Sequence, residues 1–196
     1  MATFGDKLRH CNRCGLSKTR HNVVIGRGSK TPKIMFIGEA PGRNEDLQGK
    51  PFVGRSGQLL EKAIGDLGIK SEDYYISNLV KCRPSVDEKD RHPKPDEIKA
   101  CHYWLDKQLE HLKPLILIPL GKYATEYILG RPVSIMAIAG NKFKVGDFVV
   151  YPLIHPAAVL YNPNNQQVWA RGLGNIYNEI RRVVEVKEKA SQQTLF

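Results

Sequence analysis

No apolar run in this chain approaches the roughly 18 residues that a membrane-spanning helix needs, so no membrane partner is expected. The first twenty residues, MATFGDKLRHCNRCGLSKTR, lack the apolar stretch of a secretory signal, which makes the cytoplasm the expected compartment. Low-complexity tracts, internal repeats and composition breaks are absent as well. Their absence leaves one domain over 1–190 and a flexible tail at 191–196, in a chain long enough to bury a sizeable core. Acidic charge is scarce: 20 Asp and Glu face 30 Lys and Arg, a net charge of +10, and residues 1–31 carry seven basic residues against Asp6 alone. The plain reading is a solvated basic face. The same charge suits a polyanion such as nucleic acid, held by sequence-independent phosphate contacts that weaken with salt.

Nucleotide-phosphate loops are missing too. In GRNEDLQGKP six residues separate Gly42 from Gly49, and Pro51 stands where a Walker loop needs a hydroxyl for magnesium. GRGSK at 26–30 has neither the third glycine nor the strand-then-helix setting of a dinucleotide fingerprint. Cysteine is limited to four positions. Cys11 and Cys14 form a C-x-x-C, while Cys82 and Cys101 lie far along the chain. A permanent disulfide is not expected in the cytosol. Four thiolates can complete a tetrahedral zinc site or hold an iron–sulfur cluster; otherwise Cys82 and Cys101 are ordinary buried cysteines.

Four short apolar runs read as strands: 33–38, 74–80, 115–121 and 148–155. Helical patterns alternate with them, at Gln58–Leu67, 95–112, about 122–129 and roughly 166–186. The alternation predicts an α/β protein, a three-layer α/β/α sandwich around a four-stranded parallel sheet. In such sheets ligands sit beyond the carboxyl ends of the strands. That rule singles out Gly38–Asn44, Asn78–Arg83, Gly121–Lys122 and His155–Leu160.

The stretch after the first of those strands, GEAPGRNEDLQGKPFVGRSGQLL, is both glycine-rich and acidic. Carboxylates there suit developing positive charge, as on a sugar oxocarbenium ion, or the orientation of a water. Phe52 offers an aromatic face to a planar ligand or a core side chain. Asn78, ending a strand, has an amide able to pair with a donor and an acceptor at once, or to stabilise a turn. His155, before Pro156, is placed to donate to a developing anion or to serve the fold.

Together, GEAPG, the following ED, PFVG and SGQLL, SNLVKCRP, HPKPDEIKAC, PLG and HPAAVL resemble family 4 uracil-DNA glycosylases, the iron–sulfur type, over nearly the whole chain. The resemblance implies removal of uracil from DNA by a monomeric enzyme, with a [4Fe-4S] cluster on Cys11, Cys14, Cys82 and Cys101. It places uracil against Phe52, with Asn78 reading its Watson–Crick edge and the Gly38–Gly42 turn near O2. His155 is then the group that supports charge on O2. The water-activating position of better-known uracil glycosylases falls on Ala40, so Glu39 and Glu45 are expected to share that work. Ser56 and Gly57 are expected to meet a DNA phosphate, and Val159 or Leu160 to fill the space the flipped base leaves.

Two other functions compete. One is a branch that traps uracil-DNA covalently through a histidine in a basic loop; the segment here is acidic, and His92 lies out of register. The other is a metal-stabilised, non-catalytic DNA-binding module. The tail, with Gln192, Gln193, Leu195 and Phe196, resembles a shortened peptide for a DNA sliding clamp.

Overall fold

The four apolar runs become neighbours at the centre of one sheet. A computed structural model describes residues 3–193. In chain order the strands and helices are α1 (Phe4–Arg9), β1 (Arg27–Gly28), β2 (Ile34–Gly38), α2 (Arg43–Gln48), α3 (Arg55–Asp66) and β3 (Tyr74–Asn78). A hairpin follows, β4 (Ser85–Val86) and β5 (Lys89–Asp90), then α4 (Pro95–Leu112), β6 (Ile116–Pro119), α5 (Lys122–Leu129) and α6 (Ile135–Ile138). The chain closes with β7 (Phe143–Val145), β8 (Phe148–Val150), α7 (Pro156–Tyr161) and α8 (Asn165–Gln193).

The main sheet runs β1-β3-β2-β6-β8-β7. Its inner strands β3, β2, β6 and β8 are parallel, and both edges are antiparallel. The sheet therefore has six strands, not the expected four. The two missed strands are a polar pair of residues and a three-residue segment, too short to show an apolar period. Both sit at edges, where one side needs no partner.

Alternation along β2 sends Ile34 and Phe36 to one face and Met35 and Ile37 to the other. The first face packs against Leu60 and Ile64 of α3 and Trp169, Ile176 and Ile180 of α8. The second packs against Leu8 of α1, Trp104, Leu105 and Leu109 of α4, and Ala124 of α5. Both faces of the inner strands are buried, which is why they read as continuous apolar runs. Among the described residues no helix is long and apolar enough to cross a membrane. Leu195 and Phe196, on which the clamp-peptide expectation rests, lie outside the described residues.

The acidic glycine stretch is not one loop. Gly42 caps α2 at its start and Gly49, at φ 67°, ends it in the left-handed region, so a short helix forms between the two glycines. That helix carries buried Asp46, whose carboxylate accepts from the backbone N–H groups of His21 and Asn22 and from His21 Nδ1 at 2.8 Å. One buried carboxylate thus ties the basic N-terminal arm to the cavity wall. Asp46→Ala strands these donors, and we predict a loss of about 3 kcal/mol in denaturant unfolding.

Candidate functional site

The parallel register sets Gly38, the last residue of β2, directly beside Asn78, the last of β3. Beyond these strand ends lies an open cavity of about 600 Å³. Of the residues predicted from sequence, it brings together Ala40, Glu45, Phe52, Ser56, Asn78, His155 and Leu160. Gly42, Arg43, Asn44 and Ala157, inside the segments that the strand-end rule singled out, also line it, as do Arg55, Asp90 and Tyr161, to which the sequence reading had assigned no role.

Phe52, Asn78 and His155 converge at the Gly38 end. A Cβ on Gly38 would lie 2.3 Å from Asn78 Oδ1 and 2.7 Å from Phe52 Cζ, so only glycine lets both close over the strand. Phe52 takes φ 53°, an uncommon conformation for a residue with a side chain. Gly57 helps hold it there: a Cβ on Gly57 would lie 2.0 Å from the Phe52 carbonyl oxygen. The Phe52 ring stacks on His155 at 5.8 Å between centroids. Asn78 is buried and its carbonyl accepts from Lys81 Nζ at 2.6 Å, while among the described residues no protein group hydrogen-bonds its side-chain amide. Lys81 itself is fully buried, donating also to Ser77 and Gln108, and desolvation lowers its pKa to about 7.

His155 caps α7, its Nδ1 accepting from the Ala157 N–H at 3.2 Å. An accepting Nδ1 carries no proton, so the ring proton sits on Nε2. Desolvation pushes its pKa down to about 4, which keeps the ring neutral near pH 7. The group offered to a ligand is therefore a neutral Nε2–H donor.

The predicted acids part ways. Glu45 lines the cavity, its Oε1 accepting from the N–H groups of Val53 at 3.0 Å and Gly54 at 3.2 Å. Glu39 is not among the lining residues; its carboxylate accepts from His92 Nδ1 at 2.7 Å, and that ring leans on Tyr123. Asp90 enters the cavity from β5, gripped by buried Arg83 through Nε at 2.6 Å. Nothing local in VDEKDRH distinguishes Asp90 from its solvated neighbours, so only the fold could reveal it.

At the rim, Ser56 lies in the first turn of α3, whose leading N–H groups have no carbonyl one turn back. Gly57 is buried beneath Phe52. Of the paired apolar candidates, Val159 packs against the core, whereas Leu160 is 40% exposed and lines the cavity beside Tyr161, 89% exposed.

The four cysteines meet on the other side of the sheet. Cys11, Cys14, Cys82 and Cys101 are free thiols lining one small cavity with Leu8, Val80 and Trp104. Donors point at three of the sulfurs: Trp104 Nε1 at Cys11 (3.1 Å), Lys81 N–H at Cys101 (3.2 Å) and Arg20 at Cys82 (3.5 Å). Burial raises the pKa of Cys14, Cys101 and Cys82, the last to about 12. Among the described residues no three His, Cys, Asp or Glu side chains are arranged to hold a single metal ion. The four thiols line one cavity, and N–H donors to sulfur stabilise thiolates. That donor set fits a thiolate-bound group.

The family model for the Uracil DNA glycosylase superfamily matches residues 25–173. The chain is similar to the Type-4 uracil-DNA glycosylase of Saccharolobus solfataricus, 45% identical over 174 residues that cover 84% of this chain and 79% of that protein. It is 42% identical over 172 residues to the Type-4 uracil-DNA glycosylase of Sulfurisphaera tokodaii, covering 83% of this chain and 77% of the other. A third, from Archaeoglobus fulgidus, is 36% identical over 198 residues, covering 97% and 94%.

Nitrogen-detected NMR of the imidazoles gives a direct check on the donor state. His155 is predicted to remain a neutral Nε2–H tautomer on lowering the pH through 6.5, protonating only toward about 4.

Proposed function

The chain belongs to the uracil-DNA glycosylase superfamily, and on that footing we propose that it hydrolyses the N-glycosidic bond of uracil in DNA, leaving an abasic site that starts base excision repair. The observation that carries this reading is one cavity in which a ring face, a free amide and a neutral imidazole N–H stand at one end and a tethered carboxylate at the other.

A base inside a duplex cannot reach such a cavity, so the uracil must leave the stack. Phe52 receives its face. The Asn78 amide accepts from uracil N3–H and donates to O4. Cytosine reverses both groups and would leave buried polar atoms unpaired, the kind of mismatch that discriminates strongly. As the bond breaks, its electron pair leaves with the base, and His155 Nε2–H meets the charge growing on O2. The backbone N–H groups of Ala40 and Gly42 add to that hole, since both residues line the cavity. Glu45 supports the cationic sugar. Glu39, oriented by His92, acts on the loop that carries these amides. Leu160, exposed at the rim, fills the space that the base vacates, and Ser56 at the start of α3 meets a phosphate. Arg43 and Arg55 bring further positive charge to the same mouth.

Cys11, Cys14, Cys82 and Cys101 hold a [4Fe-4S] cluster in this reading. Bound there, the cluster cross-links the N-terminal arm to the end of β3 and to α4, so that binding energy becomes folding energy. Protein purified without oxygen is predicted to show the broad visible absorption of sulfur-to-iron charge transfer, lost together with folded stability when a chelator strips the iron. A colourless, zinc-containing and equally stable protein would exclude the cluster.

The function itself is tested with purified protein on U·G, U·A, hypoxanthine·T and undamaged duplexes. Uracil is predicted to be released from the first two and nothing from the last. Asn78→Ala and His155→Ala should each slow single-turnover release by about 100-fold or more while folding persists. Wild-type rates in both would remove these residues from the site.

A further inference from the structure

Lys81 is fully buried, and among the described residues no carboxylate bonds its ammonium group. Its Nζ donates instead to three neutral oxygens: Ser77 Oγ at 2.7 Å, the Asn78 carbonyl at 2.6 Å and Gln108 Oε1 at 2.6 Å. Burying an ammonium without a counter-charge is costly. A methionine would fill much the same space without that cost, so what Lys81 adds is its bonds. Resting on the glycosylase reading above, we propose that Lys81 is a positioning residue for base recognition, the group that sets the Asn78 amide against uracil.

Asn78 needs such a group. No protein group hydrogen-bonds its side-chain amide among the described residues, so the backbone must aim it. The ladder between β2 and β3 runs out at the Gly38–Asn78 pair. Just beyond it, the peptide unit joining Asn78 to Leu79 is gripped at both ends. The Leu79 N–H donates to the Gly38 carbonyl at 2.8 Å, and the Asn78 carbonyl accepts from Lys81 Nζ. A peptide unit is planar, so holding both ends fixes ψ of Asn78 and with it the direction of Cα–Cβ. Only the side-chain torsions remain, and contact with the bare α-carbon of Gly38 limits those. Without the lysine the carbonyl end is free to tilt, and an amide off its angle pairs poorly with a base edge.

The clamp is itself anchored. Gln108, on α4, donates through Nε2 to the Ile25 carbonyl at 2.8 Å, and the Ser77 hydroxyl donates to the same carbonyl at 3.0 Å. Lys81 is further held by its own N–H, which donates to Cys101 Sγ at 3.2 Å. The lysine thus ties the base-reading strand end to α4 and to the segment that leads into β1.

The test is a double-mutant cycle of Lys81→Met and Asn78→Ala, read by single-turnover uracil release from a U·G duplex and by inhibition with free uracil. Affinity for a uracil-free duplex and the thermal midpoint are measured alongside. Lys81→Met should slow release by about 10-fold or more and weaken free-uracil inhibition by a similar factor, with duplex affinity unchanged. Added to Asn78→Ala, it should change neither quantity by more than about twofold, because the two residues act as one unit. Lys81→Gln, which keeps an N–H donor, is carried through the same cycle and should show a smaller loss in the same direction. Wild-type behaviour, losses that multiply in the double variant, or duplex affinity that falls together with release overturns the proposal. Failure of both Lys81 variants to fold would make the lysine a structural one and overturns it too. A wild-type protein that releases no uracil overturns the proposed function itself, and this inference with it.

Discussion

At Gly38 a bare α-carbon lets an aromatic ring and an amide close over the end of a parallel strand. A methyl there would stand 2.3 Å from Asn78 Oδ1 and 2.7 Å from the Phe52 ring. The geometry of the cavity descends from this contact. The register of β2 and β3 brings Asn78 alongside. The left-handed backbone of Phe52 swings its ring over the same carbon and onto His155. Gly57 keeps the Phe52 carbonyl where it is. The three side chains are thus positioned by one another and by two glycines, the kind of preorganisation that base reading requires.

The cavity is also tied to the far side of the sheet. Cys82 precedes Arg83, and Arg83 grips the hairpin that carries Asp90. Cys101 accepts from the Lys81 N–H, and Lys81 in turn holds the Asn78 carbonyl. From the other direction Asp46 fastens the arm that bears Cys11 and Cys14 to the helix that bears Glu45. In the proposed function, a cluster on the four thiols would stiffen all three connections at once, although it stands on the other face of the sheet.

Much of this was legible in the sequence. The inner strands β2 and β6 announced themselves because both their faces are buried and their residues are apolar, and β3 and β8 through their aromatic and β-branched residues. The strand-end rule then points to Gly38, Asn78 and His155. The edge strands could not be read, since segments of two or three residues pair only because a neighbour is already in place. Helix α2 was hidden inside what looked like a loop, because its signal is two glycines and six unremarkable residues. Side-chain direction was beyond reach too. Glu39 and Glu45 looked equivalent, yet one bonds His92 and the other enters the cavity. Asp90 was invisible for a related reason: its setting depends on Arg83 and on a left-handed turn formed by Asp87 and Glu88, residues that rarely advertise one.

In the proposed function, uracil lies at the Gly38 end with its sugar directed toward Gly42. A crystal structure of the protein with free uracil, or with the abasic product and uracil together, tests it most directly. The base is predicted to lie flat against Phe52, its N3–H and O4 on the Asn78 amide, O2 on His155 Nε2, and N1 facing Gly42. Uracil seated elsewhere, or turned so that N1 faces Asn78, would contradict it.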